Sequence, residues 1–510
     1  MGDQATEKRP TPENATMMQA FEWNVPGDQK HWTRLRDHAE SLKAFGVDNI
    51  WLPPGCKASS PNGVGYDIYD LYDLGEFDQK GSRATKWGTK EELMQLIDKT
   101  DELGMGVYWD AVLNHKAAAD HKERCRVVEV DSNDRTKEIS EPYEIDGWLG
   151  FDFPGRGDKY SSQKYHWDHF SGTDFNAENN KVSIYKILGD NKHWSDSVAN
   201  EQGNADYMMF ADLDYAHPEV QKDVIHWGEW IIKETRIKGF RLDAVQHYSE
   251  DFMNDFVHNI EKTIGEGIFF VGEYWVGDVK AMTAYLDRMQ HKFSLFDSAL
   301  LYNFSRISTT EDGDLTKIFD DSLVQVEPVN AVTVVTNHDT QKGQTMDTPI
   351  EPFFKPLAYS LILLRSEGYP CLFYGDLYGT KGEHAEGPSC GGKLADITLA
   401  RKLYAYGRQD NYFDYKTCIG WVRLGTWDHP FGLACVMSNA GPGEKEMFVG
   451  EVHAGEVWTD VLGWETSEVQ IGKDGKAMFP CPGTSVAIWV NKEAEGRDRF
   501  GKFDANIYKE

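Results

Sequence analysis

The sequence is poor in positive charge and has no long run of apolar residues. Its 53 lysines and arginines stand against 83 aspartates and glutamates, so the formal net charge is −30. Nucleic acids and anionic membranes bind basic surfaces, and this balance argues against both as partners. No stretch of the sequence reaches the roughly 20 apolar residues of a membrane-spanning helix. The acidity is compatible with an uncharged substrate.

Cysteine is scarce and widely spaced. Seven cysteines stand at positions 56, 125, 371, 390, 418, 435 and 481, and no CxxC pair occurs. An odd number at such spacing favours reduced, buried thiols over a disulfide framework. Residues 1–10 have no apolar core, so no secretory signal is predicted. We therefore expect a cytoplasmic protein, although a secreted protein whose signal had been removed would have the same features.

Strand-like and helical patterns alternate through most of the chain. A strand–helix unit repeated eight times is typical of an α/β fold, the (β/α)8 TIM barrel. The strand-like runs are Met17 to Phe21, Asn49 to Leu52, Gly106 to Val112, Gly239 to Val245, Ile268 to Trp275, Ser294 to Leu300, Ala331 to Thr336 and Pro370 to Tyr374.

Two helical patterns have recognisable ends. The first begins at Pro218, a residue favoured in the first helical turn, and is expected to end at Gly239. The second has Ser249 as its N-terminal cap and Gly265 as its stop. Their predicted buried faces are Val220, Val224, Trp227 and Ile231 in the first, and Phe252, Phe256, Ile260 and Ile264 in the second.

Two regions depart from the alternation and divide the chain. Residues 115–217 are polar and aromatic, which predicts a domain inserted after the third strand. Residues 408–492 contain short alternating runs typical of an antiparallel β-sandwich. The barrel then comprises residues 1–114 and 218–407. Residues 493–510 form a charged tail that we expect to be loosely held.

Three strand-like runs each end in a carboxylate. Asp243 ends Gly239 to Asp243, Glu273 follows the run from Phe269, and Asp339 follows the run from Val334. A carboxylate at the end of a buried strand is costly to desolvate unless it is paired or used. Two carboxyl groups facing each other across a sugar are the minimum for cleaving a glycosidic bond. Structural salt bridges at the strand ends are the alternative interpretation.

Four ordered motifs carry a resemblance to a known family. They are Asp110-Ala-Val-Leu-Asn-His115, Gly239-Phe-Arg-Leu-Asp-Ala-Val-Gln-His247, Gly272-Glu-Tyr-Trp275 and Thr336-Asn-His-Asp339. With them the chain resembles the α-amylases of glycoside hydrolase family 13 over roughly residues 14–492. The segments 65–77 and 210–214 are similar to those of the liquefying bacterial subgroup and its intracellular relatives.

The resemblance implies a role for each carboxylate. Asp243 would attack the anomeric carbon, Glu273 would protonate the leaving oxygen, and Asp339 would stabilise the cationic transition state. Arg241 and Asp243 are two residues apart on a strand, so both point into the barrel mouth. We expect Arg241 to keep Asp243 ionised, and the apolar surroundings of Glu273 to raise its pKa.

Further residues are implied to bind the sugar chain. Tyr66 would stack on a ring, and His115 and His338 would donate hydrogen bonds to hydroxyl groups. The rest of the predicted set is Arg241, Gln246, His247, Trp23 and Trp275. The histidines could instead be structural and the aromatic residues could be packing residues. Gln246 stands where close relatives often carry lysine, so it keeps hydrogen bonding but loses the charge.

The resemblance also implies a calcium site. Asn114, Asp206 and Asp212 match the family's ligands, and the backbone carbonyl of His247 would complete the set. Oxygen-only ligands suit Ca²⁺. Relatives in the liquefying subgroup can hold a further calcium–sodium–calcium cluster, but carboxylates are missing here at its expected positions, so we expect one calcium and not three. Those positions are Ser171, Ser195 and Ala216, beside Asp214.

The sequence thus predicts an endo-acting retaining α-1,4-glucan hydrolase that acts on starch, glycogen or maltooligosaccharides, as a monomer. A 4-α-glucanotransferase of the same fold would differ only in using a sugar acceptor in place of water. A non-catalytic glucan-binding protein is the alternative of another class. It would have no need of all three carboxylates, Asp243, Glu273 and Asp339.

Overall fold

A computed structural model describes residues 14–509. Residue 510 and residues 1–13, where no secretory signal is predicted, lie outside it. Eight strands pair in parallel and close into a barrel, because the first strand pairs with both the second and the eighth. The predicted TIM barrel is confirmed. Its strands are, in order, Met17–Gln19, Asn49–Trp51, Gly106–Ala111, Gly239–Leu242, Phe269–Gly272, Ser294–Phe296, Ala331–Val334 and Tyr369–Phe373.

Most of these strands are shorter than predicted, and the sixth shows why. The run from Ser294 stops at Phe296, and a helix begins at Ser298. Asp297 lies between them and accepts a hydrogen bond from the backbone of Leu300 at 2.9 Å. Because a capping side chain satisfies a free N–H of the first turn, the apolar residues after Asp297 continue as a helix.

Helices cover the outside of the barrel. The helix Pro218–Thr235 ends earlier than predicted, at Arg236 in the left-handed conformation (φ 59°). Gly239 does not stop this helix but begins the fourth strand, where a Cβ would lie 2.5 Å from the Phe269 carbonyl oxygen. The other helices are His31–Phe45, Lys90–Glu102, Glu250–Ile264, Val279–Arg288, Ser298–Ser308, Leu323–Val326, Lys355–Leu364, Tyr374–Tyr378 and Leu394–Tyr404. None of those in residues 14–509 combines the length and apolar character needed to cross a membrane.

The segment after the third barrel strand forms a six-stranded sheet of its own. All of its strand pairs are antiparallel, which accounts for the missing strand–helix alternation. Its strands are His115–Lys116, His121–Val130, Tyr143–Gly150, Phe170–Asn176, Lys181–Ile187 and Ala211–Leu213.

The C-terminal region is antiparallel, as predicted. A six-stranded sheet faces a two-stranded one, and apolar side chains including Trp458, Phe479 and Trp489 fill the space between them. The strands are Gln409–Tyr412, Cys418–Arg423, Leu433–Ser438, Gly443–Phe448, Val457–Asp460, Val469–Gln470, Lys476–Cys481 and Ser485–Asn491.

The expectation that the last residues are loosely held is wrong for residues 493–509. The Phe503 ring lies 5.0 Å from that of Phe45 on the first helix, and Ile507 is buried. The Tyr508 hydroxyl lies 3.2 Å from the Tyr374 hydroxyl. The tail is largely charged, which led to the expectation, but it also contains four apolar or aromatic side chains. Their burial is enough to hold the tail against the barrel.

Candidate active site

Arg241 is the centre of the predicted catalytic group. Its side chain is 1% exposed and contacts three carboxylates. One terminal nitrogen lies 2.8 Å from Asp110 and 2.6 Å from Asp243, and the other lies 2.6 Å from Glu273. The register of the barrel explains this convergence, because Arg241 pairs with Asp110 on the third strand and with Val271 on the fifth.

The backbone turn after the fourth strand brings Glu273 close to Asp243. Ala244 adopts a left-handed conformation (φ 47°), which is uncommon for a residue with a side chain. In that conformation its N–H donates to Glu273 Oε2 at 3.1 Å. Strained backbone of this kind is frequent at active sites, where the surrounding structure holds it in place.

One guanidinium cannot neutralise all the acids around it. Burial raises the pKa of Glu273, and Arg241 opposes this shift while Asp243 reinforces it. Burial also raises the pKa of Asp243, and Arg241 opposes this shift without reversing it. Contrary to the expectation from the sequence, Arg241 by itself therefore does not keep Asp243 ionised. Burial raises the pKa of Asp110 to about 7. Since the acids share one cation, they cannot all be ionised near neutral pH.

Asp339 lies at the same mouth and is held by His338. The side-chain amide of Gln19 donates to His338 Nδ1 at 3.0 Å, so Nε2 carries the proton and faces Asp339 Oδ2 at 3.2 Å. Burial holds the pKa of His338 well below its usual value, which keeps the ring neutral. Burial and the nearby Glu273 raise the pKa of Asp339 to about 8.

Three rings lie beside the carboxylates in near-parallel planes, each 5.0–6.0 Å from the other two. Tyr66 lies 5.0 Å from His338 and 5.9 Å from Trp23, and the planes differ by 7° and 1°. The Tyr66 hydroxyl donates to Asp110 at 2.8 Å, so its ring cannot rotate away. Trp275 follows Glu273 by two residues and is half-buried. Flat, half-buried rings of this kind offer the faces on which sugars stack.

The remaining predicted sugar-binding residues lie along the inserted domain. His115 Nε2 donates to the Tyr66 carbonyl at 2.7 Å, which leaves its buried Nδ1 without a partner. The predicted hydrogen-bond donor of His115 is therefore already bonded to the chain, and the nitrogen left free is the acceptor Nδ1. Gln246 Oε1 accepts from the Trp275 backbone at 3.4 Å. His247 donates from Nδ1 to the Ala205 carbonyl at 2.6 Å.

The predicted calcium ligands form a second acidic group. Asn114 Nδ2 donates to Asp212 at 3.1 Å, while Asn114 Oδ1 is buried without a partner. Burial raises the pKa of Asp206 to about 7, and burial together with Asp206 raises that of Asp212 well above its usual value. Within residues 14–509, no lysine or arginine makes an ion pair with either aspartate. An unpartnered amide oxygen beside two buried carboxylates fits a hard cation.

Asp214, which the sequence left as a poor site for any second metal, is neutralised from within the chain. Lys192 Nζ lies 2.6 Å from Asp214 Oδ2, and both side chains are less than a tenth exposed. The same ammonium donates to the carbonyl oxygens of Asp168 and Phe170. Ser171 meanwhile donates to Asp212. The Lys192 ammonium therefore occupies the position beside Asp214 that a metal ion would need.

Sequence reasoning missed Lys192 and the supporting residues around Asp110. Trp51 donates from its indole to Asp110 Oδ2 at 2.9 Å. The signal for Trp51 was its position at the end of the second strand, level with the other strand-end residues. No sequence signal singled out Lys192, because a lysine in a polar stretch is normally solvated.

An eight-stranded parallel barrel with buried carboxyl groups at the carboxyl ends of its strands defines a TIM-barrel glycoside hydrolase. The profile described as "Alpha amylase, catalytic domain" matches residues 27–421, so the chain belongs to the α-amylase family.

Individual relatives are similar over almost the whole chain. A protein named glucan 1,4-alpha-maltohexaosidase from Bacillus sp. (strain 707) is 44% identical over 482 residues, which are 94% of this chain and 93% of its own. The cytoplasmic alpha-amylase of Escherichia coli (strain K12) is 40% identical over 94% and 99% of the two chains. The solved alpha-amylase of Geobacillus thermoleovorans, complexed with acarbose, is 17% identical, with a TM-score of 0.62 over 94% and 98% of the chains, and supports the fold.

Proposed function

We propose that this chain is an endo-acting retaining α-1,4-glucan hydrolase that cleaves starch, glycogen or maltooligosaccharides. The observation that carries the proposal is the contact of one buried guanidinium with both Asp243 and Glu273. It places a candidate nucleophile and a candidate acid on either side of one positive charge. The proposal is consistent with the relatives named as an alpha-amylase and a maltohexaosidase.

Two displacements at the anomeric carbon account for the reaction. In the first, Asp243 attacks that carbon while protonated Glu273 gives its proton to the leaving glycosidic oxygen, so a glycosyl ester forms and the glycosidic bond breaks. In the second, Glu273 takes a proton from water as the water attacks the ester, and Asp243 is released. Arg241 stabilises the carboxylate form of Asp243 each time it is regenerated.

Asp339 and the aromatic rings would hold the sugar in the reactive shape. Asp339 would stabilise the positive charge that develops on the ring, and His338 would fix its orientation through the Nε2 proton. Tyr66, Trp23 and Trp275 would offer ring faces on which the sugar stacks. His115, Gln246 and His247 would contact hydroxyl groups on the side of the inserted domain.

Digestion of soluble starch tests the proposal and separates it from 4-α-glucanotransfer. We expect reducing ends to increase from the start, intermediate-length products to appear first, and the first products to have the α configuration. Because Gln246 lacks the charge of the lysine expected there, transfer to sugar acceptors is the specific alternative. Conversion of maltoheptaose into longer chains with no net gain of reducing ends would establish the transferase and refute the hydrolase.

We further propose that Asn114, Asp206, Asp212 and the His247 carbonyl hold one calcium ion. Calcium would supply there the positive charge that the chain itself lacks. The ion would join the third barrel strand, the inserted domain and the turn after Asp243. The hydrogen bond from His247 to Ala205 already ties that turn to the inserted domain.

The protein is proposed to act in the cytoplasm as a monomer. All seven cysteines lie within the described residues, where each is free and buried. Thiol titration of the unfolded, unreduced protein should therefore find seven groups, and a reductant should leave the unfolding temperature unchanged. A count of five or fewer would mean that disulfides form and would contradict a reducing compartment.

A further inference from the structure

A cluster of two imidazoles and a carboxylate lies on the inserted domain, away from both acidic groups described above. His121 Nε2 lies 3.2 Å from Glu123 Oε1, and His166 Nδ1 lies 2.7 Å from the same oxygen. These three atoms all lie within 4.8 Å of one another. In a tetrahedral zinc site, ligand atoms about 2.0–2.2 Å from the metal are roughly 3.3 Å apart. A displacement of about half an ångström at His166 would make room for the ion.

The structure fixes Glu123 in an orientation suited to coordination. Glu123 Oε2 accepts a hydrogen bond from the Trp167 backbone N–H at 2.7 Å. Its other oxygen is therefore directed to the two imidazoles. Trp167 begins the short helix Trp167–His169, so the helix terminus positions the carboxylate. His121 and Glu123 are two residues apart on the strand His121–Val130, which directs both to the same face.

His121 is oriented by its surroundings as metal-binding histidines usually are. Its Nδ1 lies 3.2 Å from Asp152 Oδ2, which can hold the ring proton on Nδ1 when Nε2 exchanges the proton it shares with Glu123 for a metal. A carboxylate on the far nitrogen of a ligand histidine is a frequent feature of zinc sites and strengthens the bond. The ring also packs directly on Gly150, where a Cβ would lie 2.2 Å from Nε2. The glycine thus makes room for this ring position.

A neighbouring group of the same composition lacks these features. His169, His217 and Glu219 also bring their ligand atoms together. However, His217 Nδ1 accepts from the Glu219 backbone at 3.3 Å as a helix cap, and His169 Nδ1 accepts from His166 N–H at 2.9 Å. Each Nδ1 is thus occupied by a backbone N–H, so it can neither bind a metal nor carry the proton that a neutral imidazole holds when Nε2 binds one. This group serves as a matched control.

We propose that His121, Glu123 and His166 bind a transition-metal dication, and that zinc is the ion whose ligand preference they meet. Two histidines and one glutamate are an established zinc ligand set, with a water molecule in the fourth position. The side chains of His121 and His166 are 43% and 48% exposed, so an ion can enter from solvent. Zinc would replace the protons that these nitrogens otherwise share with Glu123.

Such an ion would clamp a long loop to the sheet of the inserted domain. His121 and Glu123 belong to the sheet, whereas His166 ends the loop of residues 152–166. Within that loop Arg156 reaches Asp70, with Nε 2.8 Å from Oδ2 and both side chains about 1% exposed. Zinc at the cluster would therefore stabilise the contact between the inserted domain and the barrel, without contacting the catalytic carboxylates.

Calorimetric titration with zinc chloride tests this site. Untagged full-length protein is first stripped with a chelator and then saturated with calcium, so that the acidic groups are filled. We expect one zinc ion per chain and a higher unfolding temperature with zinc. Asp152→Asn should weaken zinc binding about 10- to 100-fold, because it removes the group that orients His121.

Substitutions of the ligands and of the control group decide the assignment. The double variant His121→Gln with His166→Gln should lose stoichiometric zinc binding and the rise in unfolding temperature. His217→Asn keeps a capping side chain and should bind zinc as the wild type does. The site is refuted if the wild type binds no stoichiometric zinc, if the double variant still binds it, or if His217→Asn abolishes it. These outcomes do not depend on glucan hydrolysis.

Discussion

The two buried acidic groups of this chain solve the same electrostatic problem in opposite ways. Around Asp243 the cation is built into the chain, since Arg241 contacts three carboxylates at 2.6–2.8 Å. Around Asp212 no lysine or arginine of the described residues forms an ion pair, and the amide oxygen of Asn114 is left without a partner. Buried carboxylates need compensation in both places. The first group is therefore compensated within the chain, by Arg241 and by protons that its acids retain, whereas the second would need the proposed ion.

A third arrangement lies close to the second group. Lys192 neutralises Asp214 one to one, and its ammonium also donates to two carbonyl oxygens. Guanidinium offers a rigid fork of donors that several carboxylates can share, and ammonium offers a compact point charge. The chain thus uses arginine where acids must stay in fixed positions for chemistry and lysine where one acid must only be neutralised.

The largest expected effect is on the arginine-centred group. Asp243→Asn should lower kcat about 10⁴-fold or more, because the amide cannot form the glycosyl ester. The calcium content and the unfolding temperature with calcium should stay close to those of the wild type. Starch hydrolysis by purified protein, metal analysis and thermal unfolding measure the three quantities. Near-normal starch hydrolysis by this variant would rule out Asp243 as the nucleophile.

The next effect concerns the lysine. Lys192→Met should destabilise the protein by about 3–5 kcal/mol, because it leaves a buried carboxylate without its partner. Adding Asp214→Asn should restore much of the loss. Denaturant unfolding with calcium present measures both variants. If Lys192→Met unfolds at the wild-type denaturant concentration, the ammonium is not the partner that Asp214 requires.

Calcium removal should have a smaller effect, set by mass action. At free calcium 100 times its Kd, the ion would stabilise the native state by about 2.7 kcal/mol. Stripped protein should therefore unfold at a lower temperature and recover when calcium is added. Asp212→Ala should abolish the recovery and leave the arginine-centred group intact. If calcium leaves the unfolding temperature unchanged when it is added to protein shown to be metal-free, the site is wrongly assigned.

The smallest effect is a displacement of the pH profile. Burial and Asp243 raise the pKa of Glu273, and a general acid acts only while protonated. Activity should therefore persist above the ordinary glutamate pKa of 4.5 and then fall about tenfold per pH unit. The dependence of kcat/KM on pH, measured at saturating calcium, checks this. A decline that begins near pH 4.5 would show that Glu273 is not held protonated.

Much of the fold could be predicted because the barrel repeats one local rule. Each strand is a short, mostly buried run, and all eight were found. The ends were less predictable, because capping decides them. Asp297 caps a helix where the apolar run predicted a longer strand. The helix from Pro218 ends at Arg236, although the sequence predicted an end at Gly239.

The candidate site was predictable as a list of residues but not as a network. The strand-end carboxylates stand out in sequence because a charge after an apolar run is unusual. That Arg241 serves three acids follows from the register of three strands, which no local pattern reveals. The free nitrogen of His115 and the pairing of Lys192 with Asp214 likewise depend on residues distant in sequence.

The packing of the C-terminal tail against the barrel affects how the chain folds during synthesis. Arg499 donates to the Ala44 carbonyl, a contact between residues 455 positions apart. The side of the first helix that Phe503 covers stays exposed until almost the whole chain has been synthesised. Contacts of such long range slow folding, and a partly made chain with an uncovered apolar surface aggregates readily. A chain truncated before residue 494 would lack the last seventeen residues and would present that apolar surface permanently.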